Sequence, residues 1–260
     1  MSNSSHTAFS GTADDYLRYR PAYPQAFLSV LRVRAKTTGS GALLDLACGP
    51  GRVAIPMAPY FERVQAVDVE AEMIAVGERE ARRRGVTNVT WQVTRAEDLH
   101  IPSESIELIT VGEAFHRLDA TRILSRAMQW LSPRGSLATL GGEPVWRGDE
   151  AWKRVLVDVV DTWTDHALGD PNEQGWEGPA EQLRAAGLNV EEYECAVERV
   201  WTCDSIVGFM FSTSIASRRV LGDAAGRFEA DLRGALLECE PDGRFVCAQR
   251  FGFTLGRRVE

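Results

Sequence analysis

The sequence predicts an α/β fold whose sheet is mostly parallel, and two observations carry this prediction. Residues 42–46 form an almost continuous apolar run between turn-forming residues, as expected of a parallel strand covered on both faces. Segments with strand character then alternate with helical segments as far as residue 140. Such helices are the crossover connections that parallel strands need, so we expect helices on both faces of the sheet.

The chain begins with two predicted helices. The first covers 13–19 and ends before the Arg20-Pro21 step, because the residue before a proline disfavours helical backbone. The second covers 24–35, with a proline suited to its first turn. Later strands are predicted at 63–68, 89–93, 105–111, 136–140, 190–200 and 245–255. Later helices are predicted at 70–84, 121–131, 152–168, 176–186, 202–219 and 223–240.

The composition is typical of one globular domain. The chain has 260 residues, 44% of them hydrophobic and 25% charged, so it can bury a sizeable core. Its net charge of −8 argues against a nucleic-acid partner, because duplex binding needs a basic surface. No apolar run approaches the ~18 residues of a membrane helix, and residues 1–10 lack a signal-peptide pattern. We expect a cytoplasmic monomer or homodimer without a membrane partner.

The spacing of cysteines and histidines predicts neither disulfides nor a metal site. The five cysteines are odd in number and form no Cys-x-x-Cys pair, so we expect free thiols in a reducing compartment. The four histidines are scattered without the spacing of metal ligands. No metal cofactor is therefore expected.

A glycine turn follows the first strand. The pattern Gly49-x-Gly51-x-x-Ala54 lets backbone approach a ligand without Cβ interference, and the amides of the next helix would favour electron-rich groups. The pattern also satisfies the dinucleotide fingerprint, with Asp68 near the expected acidic position. Asp45, four positions before the turn, favours a different ligand. Its carboxylate would repel a pyrophosphate and attract an ammonium group.

The stretch from Ala42 to Ala54 resembles the first motif of the class I S-adenosylmethionine-dependent methyltransferases, of the small-molecule, methyltransferase type 11-like kind. The resemblance covers about residues 14–140. It implies a Rossmann-like, seven-stranded sheet of order 3-2-1-4-5-7-6, with a helical lid and one antiparallel strand at 245–255. It also implies S-adenosylmethionine as the cofactor, with its methionine end at the turn. The residues implied there are Asp45, Ala47, Gly49, Pro50 and Gly51.

Other cofactor contacts carry over from the family by position. Tyr16 and Arg20 lie in a Tyr-x-x-x-Arg-Pro segment that covers the methionyl end in related methyltransferases, and an arginine suits its carboxylate. The structural alternative is packing of this segment over the sheet. The adenosine contacts implied are Asp68 to the ribose hydroxyls, Val69 and Met73 beside the adenine, and the Ala96-Glu97 backbone. Arg95 stands where the family has an aspartate, so the acidic adenine contact does not carry over.

The catalytic candidates follow the fourth predicted strand. Ligands bind at the carboxyl ends of parallel strands, so Gly112, Glu113 and His116 should lie beside the sulfonium methyl. This stretch is similar to the aromatic-His segment of methyltransferases that act on small molecules. His116 could take a proton from the nucleophile or orient it, or it could be a capping or core histidine. Glu113 could bind a substrate cation or pair with an arginine.

We expect a single domain over 1–260. A cofactor-covering segment is predicted at 1–36, a cofactor-binding core at 37–142, and a lid with the last two strands at 143–260. No repeat or low-complexity linker separates a second domain.

The composition of the lid suggests the acceptor. Acidic residues outnumber basic ones between Glu143 and Glu181, with Trp146, Trp152 and Trp163 around them. Carboxylates and aromatic faces suit a cation, so the first hypothesis is N-methylation of an amine-bearing natural product such as an aminoglycoside. A solvated acidic helix face is the structural alternative.

Three other functions are compatible with the sequence. O-methylation of a small carboxylic acid or hydroxyl-bearing metabolite is the runner-up. An NAD(P)-dependent oxidoreductase is more distant, because the chain lacks a Tyr-x-x-x-Lys pair and Asp45 would face the pyrophosphate. A cofactor-binding regulator without catalysis would have an intact site and no turnover.

Overall fold

The computed structural model describes residues 8–165, 168 and 179–258, and a seven-stranded sheet forms its centre. The strands are β1 (Ala42–Leu46), β2 (Arg63–Asp68), β3 (Val89–Val93), β4 (Ile106–Gly112), β5 (Leu131–Gly142), β6 (Leu188–Thr202) and β7 (Arg244–Arg258). Their order is β3-β2-β1-β4-β5-β7-β6. β7 pairs antiparallel with β5 and β6, and the other pairs are parallel. The predicted Rossmann-like fold and strand order are confirmed.

Helices cover both faces of this sheet. In the first half they are α1 (Ala13–Tyr19), α2 (Gln25–Arg34), α3 (Ala54–Met57), α4 (Ala71–Arg83) and α5 (Ala120–Trp130). In the second half they are α6 (Ala151–Trp163), α7 (Ala180–Ala185), α8 (Cys203–Phe211), α9 (Arg218–Leu221) and α10 (Ala225–Cys239).

Successive residues of β1 point to opposite faces and supply two cores. Leu43 packs in one core with residues of α2 and α3, whereas Leu44 packs in the other with residues of α5 and α7. Both leucines are fully buried, and each such side chain contributes about 2 kcal/mol. β1 lies between β2 and β4. The glycine turn therefore follows the central strand of the parallel part of the sheet.

A third core forms the lid, beyond the carboxyl ends of the parallel strands. β5 ends at Gly142, opposite Phe251 of β7, but the antiparallel β6–β7 pair continues as far as Thr202 of β6. Helices α6, α8 and α10 contribute to the core beside this extension. Trp201 of β6 and Phe245 of β7 are completely buried in it. The lid thus has an apolar core of its own.

Helix boundaries differ from the sequence prediction in several places. The helix after the glycine turn, α3, has only four residues. The helix predicted at 202–219 is two helices, because the hydroxyls of Ser212 and Thr213 donate to the carbonyls of Phe209 and Met210 and terminate α8. The helix predicted at 152–168 ends at Trp163. The helix predicted at 176–186 begins outside the described residues, and its described part is α7.

The described part of the chain holds no disulfide, since all five cysteines are free thiols. No helix within it is long and apolar enough to cross a bilayer. No three His, Cys, Asp or Glu side chains of the described residues come together as a metal site.

Candidate active site

The carboxyl ends of β1 and β4 lie side by side, and both are followed by backbone in the left-handed region. Ala47 follows β1 with φ 50°, and Glu113 follows β4 with φ 53°. Non-glycine residues adopt this region at a cost of about 1–2 kcal/mol, so the surrounding fold holds both against strain. Strain therefore coincides with the two strand ends at which an open parallel sheet binds ligands.

Asp45 supports the glycine turn from below. Its Oδ2 accepts the Ala54 N–H at 3.0 Å, and its Oδ1 accepts the Thr110 hydroxyl at 2.7 Å. The first amide of α3 thus donates to Asp45, which corrects the prediction that helix-start amides face the ligand. A pyrophosphate would find that amide already used and a carboxylate beside it. The geometry therefore weighs against a dinucleotide at this turn.

The Asp45 carboxyl is only 1% exposed, and its environment shifts its titration. Burial raises its pKa to about 7, although both hydrogen bonds oppose the shift. Asp45 also lines the smaller of the two cavities described below. A cation there would favour the charged carboxylate, so the attraction between Asp45 and an ammonium group stays a prediction.

Asp68 ends β2 and connects the turn with α4. Its Oδ2 accepts the Gly49 N–H at 2.8 Å, and its Oδ1 accepts the Glu70 N–H at 2.9 Å. Each carboxylate oxygen can accept a second hydrogen bond. Asp68 lines the larger cavity, and its contact with the ribose hydroxyls stays a prediction. Support of the helix start and ligand binding, the two roles considered from sequence, are compatible in one side chain.

A cavity lies above these strand ends, with an empty volume of about 900 Å³ that includes its open mouth. Its wall contains the predicted residues Tyr16, Ala47, Gly49, Asp68, Val69, Met73, Ala96, Glu97, Gly112 and Glu113. It also contains residues that sequence reasoning did not select, among them Phe9, Thr94, Arg117 and Leu118. The Arg117 guanidinium stacks on the Phe9 ring, 4.7 Å from its centroid. A local sequence pattern cannot predict this contact, because the two residues are far apart in the sequence.

A smaller cavity adjoins the larger one and holds an unpaired arginine. The residues shared by both cavities are Tyr16, Ala47, Gly112 and Glu113. Arg52 lines the smaller cavity, between the rings of Tyr16 and Tyr23 at 5.8 and 5.5 Å. Both terminal nitrogens of Arg52 and the Tyr23 hydroxyl are buried without a hydrogen-bond partner among the described residues. Buried donors are normally paired, so this cavity is suited to an anionic ligand group.

Arg20 is not among the residues that line the two cavities, and its contact with the cofactor stays a prediction. Its Nε donates to the Ser212 hydroxyl at 3.0 Å, and it forms an ion pair with Glu113 at 3.6 Å. Its guanidinium stacks on the rings of Tyr16 and Phe209, 4.8 Å from each centroid. Arg20 therefore joins the site to the lid, and Glu113 has the arginine partner considered from sequence.

The catalytic role of His116 also stays a prediction. The 3₁₀ turn Phe115–Arg117 buries Phe115 and leaves His116 exposed, so His116 lines neither cavity. Partial burial and the charge of Arg117 lower the pKa of His116, which keeps the ring mainly neutral at pH 7. Pro50 and Gly51 line neither cavity either. They shape the turn rather than its ligand-facing surface.

Glu97 is held inside the cavity wall. It is 4% exposed, and its Oε1 accepts the Asp119 N–H at 3.0 Å. Arg95 Nε lies 3.6 Å from Glu97 Oε2. The arginine at the position of the family's aspartate thus pairs with the neighbouring acid, and both residues line the larger cavity.

The tryptophans of the lid serve mainly in packing. Trp152 is 2% exposed and contacts Phe245. Trp163 contacts Phe228, and its indole N–H donates to Asp231. These two rings therefore do not form the predicted aromatic face for a cation.

Several acids of the lid are engaged locally. Glu143 pairs with Arg250, and Glu150 pairs with Lys153. Asp161 accepts the Leu168 N–H. Asp170, Glu173 and Glu177 lie outside the described residues. The described acids that make these contacts stabilise the lid itself.

Comparison with known proteins finds similarity to methyltransferases over part of the chain. Residues 43–135 match a family model described as a methyltransferase domain. Methyltransferase pgmE of Aspergillus terreus is 29% identical over 160 residues, 57% of this chain and 48% of that protein. The uncharacterised methyltransferase YcgJ of Bacillus subtilis is 30% identical over 116 residues, 45% and 46% of the two chains. The malonyl-[acyl-carrier protein] O-methyltransferase of Bacillus cereus is 32% identical over 143 residues, 52% of each. The chain thus spans about half the length of these curated relatives.

Solved structures confirm the fold over nearly the whole chain. The crystal structure of Bacillus subtilis YcgJ matches 90% of this chain and 98% of its own, with a TM-score of 0.55 and 18% identity. A precorrin 8W decarboxylase from Methanobacterium thermoautotrophicum matches 94% and 97%, with a TM-score of 0.54 and 16% identity. At these identities the likeness shows the fold alone. The matched domain over residues 43–135 and the strand order together support a class I S-adenosylmethionine-dependent methyltransferase.

Proposed function

We propose that this protein transfers the methyl group of S-adenosylmethionine to a small-molecule acceptor. The pair of adjoining cavities at the ends of β1 and β4 carries the proposal. The larger offers Asp68 to a ribose and Met73 to an adenine. The smaller offers the unpaired guanidinium of Arg52 to a carboxylate. A ligand with a nucleoside at one end and an amino acid at the other fits both.

S-adenosylmethionine supplies an activated methyl group when bound, so the protein has mainly to align the acceptor and exclude water. Tyr16 and Glu113 line both cavities and therefore stand where the two ends of such a ligand join. Arg20 keeps Glu113 in place and connects it with Phe209 of the lid. This arrangement orients an acceptor that enters between core and lid.

The acceptor is proposed among two classes. A cationic amine is supported by the acidic lid, and Glu113 is then the group on the cavity wall that could accept its proton. A carboxylic acid or hydroxyl is supported by one curated relative, which is named as an O-methyltransferase. A carboxylate acceptor carries no proton at pH 7 and needs no base.

Calorimetric titration tests the cofactor, and an acceptor panel tests the transfer. We expect S-adenosylhomocysteine to bind and NADH to give no heat. Amines, carboxylic acids and phenols are then incubated with S-adenosylmethionine and followed by mass spectrometry. The methylated product should be about 14 Da heavier than the acceptor, because a methyl group replaces a hydrogen atom. Binding of NADH alone would refute the proposal. Binding of S-adenosylhomocysteine without any methylated product would favour a regulator.

A further inference from the structure

Two arginines near the site have no acidic partner among the described residues. Arg52 lines the smaller cavity with both terminal nitrogens buried and unpaired. Arg199 lies on β6 with its Nε buried and unpaired. Burial is the main cause that lowers the pKa of Arg199, and the positive charge of Arg52 also lowers it. Like charges with unmet donors are costly, and an anion between or beside them offsets that cost.

The sheet register places Arg199 on the face of the β6–β7 strand pair that packs on Tyr23. Arg199 pairs with Cys247, four residues beyond the pair of Cys195 with Phe251. Side chains four apart on a strand share a face, about 13 Å apart along it. Phe251 packs on Tyr23 with ring centroids 5.9 Å apart. Tyr23 lines the smaller cavity, so Arg199 lies four residues further along the sheet face that packs on the wall of this cavity.

Arg199 shares an aromatic wall with Arg20. The Arg199 guanidinium lies 4.2 Å from the ring centroid of Trp201, whose edge meets Phe209 at 5.6 Å. Arg20 lies 4.8 Å from the same Phe209 ring. Arg20 is neutralised by Glu113, whereas Arg199 is not. We call these four residues, Arg20, Phe209, Trp201 and Arg199, the lid wall. Its charge is positive at the end away from Glu113.

We propose that Arg199 binds a carboxylate of the methyl acceptor, so that the substrate is a small organic acid. This inference rests on the proposed function and names its substrate class. Arg52 is then left to bind the carboxylate of the cofactor, so each of the two arginines binds one carboxylate. Stacking on Trp201 fixes the plane of the Arg199 guanidinium, which suits recognition of a planar carboxylate. The positive end of the lid wall would repel an ammonium group.

The test uses protein saturated with S-adenosylhomocysteine and two sets of matched probes. One set is phenylacetate, phenylacetamide and phenethylamine, and the other is hexanoate, hexanamide and hexylamine. Calorimetry should show binding of the carboxylates in preference to their amides and amines. Arg199→Ala should weaken carboxylate binding about ten-fold or more, the value of a charge-assisted hydrogen bond. Its affinity for S-adenosylhomocysteine should stay at the wild-type value, which also reports correct folding.

Arg244→Ala is the control, since Arg244 lies exposed on β7, the strand that pairs with β6. It should bind the carboxylates as the wild type does. Arg199→Gln, which keeps a long side chain but no charge, replaces the alanine variant if that one fails to fold. The inference is overturned if the saturated wild type prefers the amines or ignores both carboxylates, or if Arg199→Ala and Arg244→Ala behave alike. Failure to bind S-adenosylhomocysteine would instead overturn the proposed function.

Discussion

Arg52 is the residue with the clearest unmet bonding capacity in the site, so its removal should act on one end of the cofactor. Arg52→Ala should weaken S-adenosylhomocysteine binding about 10- to 100-fold, because a buried hydrogen bond to a charged group is worth about 1.5–3 kcal/mol. 5′-Methylthioadenosine has the same nucleoside but no amino-acid tail. Its affinity should be unchanged. Calorimetry with both ligands measures the difference.

Arg82→Ala serves as the matched control, because Arg82 is exposed on α4. It should leave both affinities at the wild-type value. Equal losses for the two ligands in Arg52→Ala would mean that Arg52 maintains the shape of the site instead of binding the tail.

Glu113 and His116 should separate in kinetics, since Glu113 lines both cavities and His116 lines neither. With a confirmed acceptor, Glu113→Gln should lower kcat/KM more than about ten-fold through loss of its pairing with Arg20. His116→Asn should change it less than about three-fold. A loss near the ~10²-fold typical of a general base in His116→Asn would instead restore the role predicted from sequence.

Asp45 should give the folded protein a measurable pH dependence. Its pKa is raised from 3.8 to about 7 by burial. An acid with a raised folded-state pKa favours folding when protonated, so this stabilisation is complete below its unfolded pKa and is lost as the pH rises through 7. Urea unfolding of the wild type and Asp45→Asn between about pH 4 and 8 measures it. The wild type should lose stability relative to the variant over that range, and parallel curves would show that the Asp45 pKa is not raised.

Sequence patterns located backbone positions in the site better than side-chain directions. Asp68 was predicted as the last residue of a strand and Glu113 as the second residue after one, and the sheet brings strand ends together. The side-chain directions of Arg20 and His116 could not be predicted, because they depend on the contact with Ser212 and on the burial of Phe115, which no spacing encodes. Arg52 was overlooked although it follows the turn at once. Its exposure to the cavity is set by rings from a separate segment.

At the scale of elements, α4 approaches the glycine turn through Trp91, and a glycine permits this. A Cβ on Gly77 would lie 2.5 Å from the Trp91 ring and 3.2 Å from the Pro50 carbonyl carbon. Gly77→Ala should therefore destabilise the protein by about 1–3 kcal/mol despite the better helix propensity of alanine. Gly234 of α10 is the control, because its Cβ would meet nothing within 4 Å. Gly234→Ala should gain about 0.5–1 kcal/mol. Denaturant unfolding measures both, and a gain in both would show that Trp91 has room.

The strands were all located from sequence, but their lengths were not. β6 and β7 are 15 residues each, longer than the predicted 190–200 and 245–255, because each continues as long as its antiparallel partner supplies hydrogen bonds. Local propensity does not contain that partner. The same limit explains the division of the helix predicted at 202–219, where hydroxyls of Ser212 and Thr213 compete with helical bonding.

At the scale of the whole molecule, net charge proved a poor guide to the site. The chain carries −8, and the lid contains most of the excess acid. Some of these lid acids form ion pairs with basic residues of the lid, as Glu143 does with Arg250 and Glu150 with Lys153. Arg52 and Arg199 meanwhile remain without an acidic partner in the described structure. Charge sums over a segment average paired and unpaired groups, whereas a ligand meets only the unpaired ones.

The core and the lid meet at Arg20, so this residue should couple cofactor binding to the order of the lid. Arg20 contacts Ser212 and Phe209 on the lid side and Glu113 and Tyr16 on the cofactor side. Saturation with S-adenosylhomocysteine should slow amide hydrogen exchange in α8 of the wild type, because ligand contacts at Tyr16 and Glu113 hold Arg20 in place.

In Arg20→Ala at saturating ligand, bound S-adenosylhomocysteine should still slow amide hydrogen exchange around Asp68. Helix α8 should lose most of the protection that the ligand adds in the wild type. Arg18→Ala removes an exposed arginine from the same helix and should protect α8 as the wild type does. Equal protection of α8 in all three proteins would mean that the lid is ordered by its own apolar core, which buries Trp201 and Phe245 whether or not the cofactor is bound.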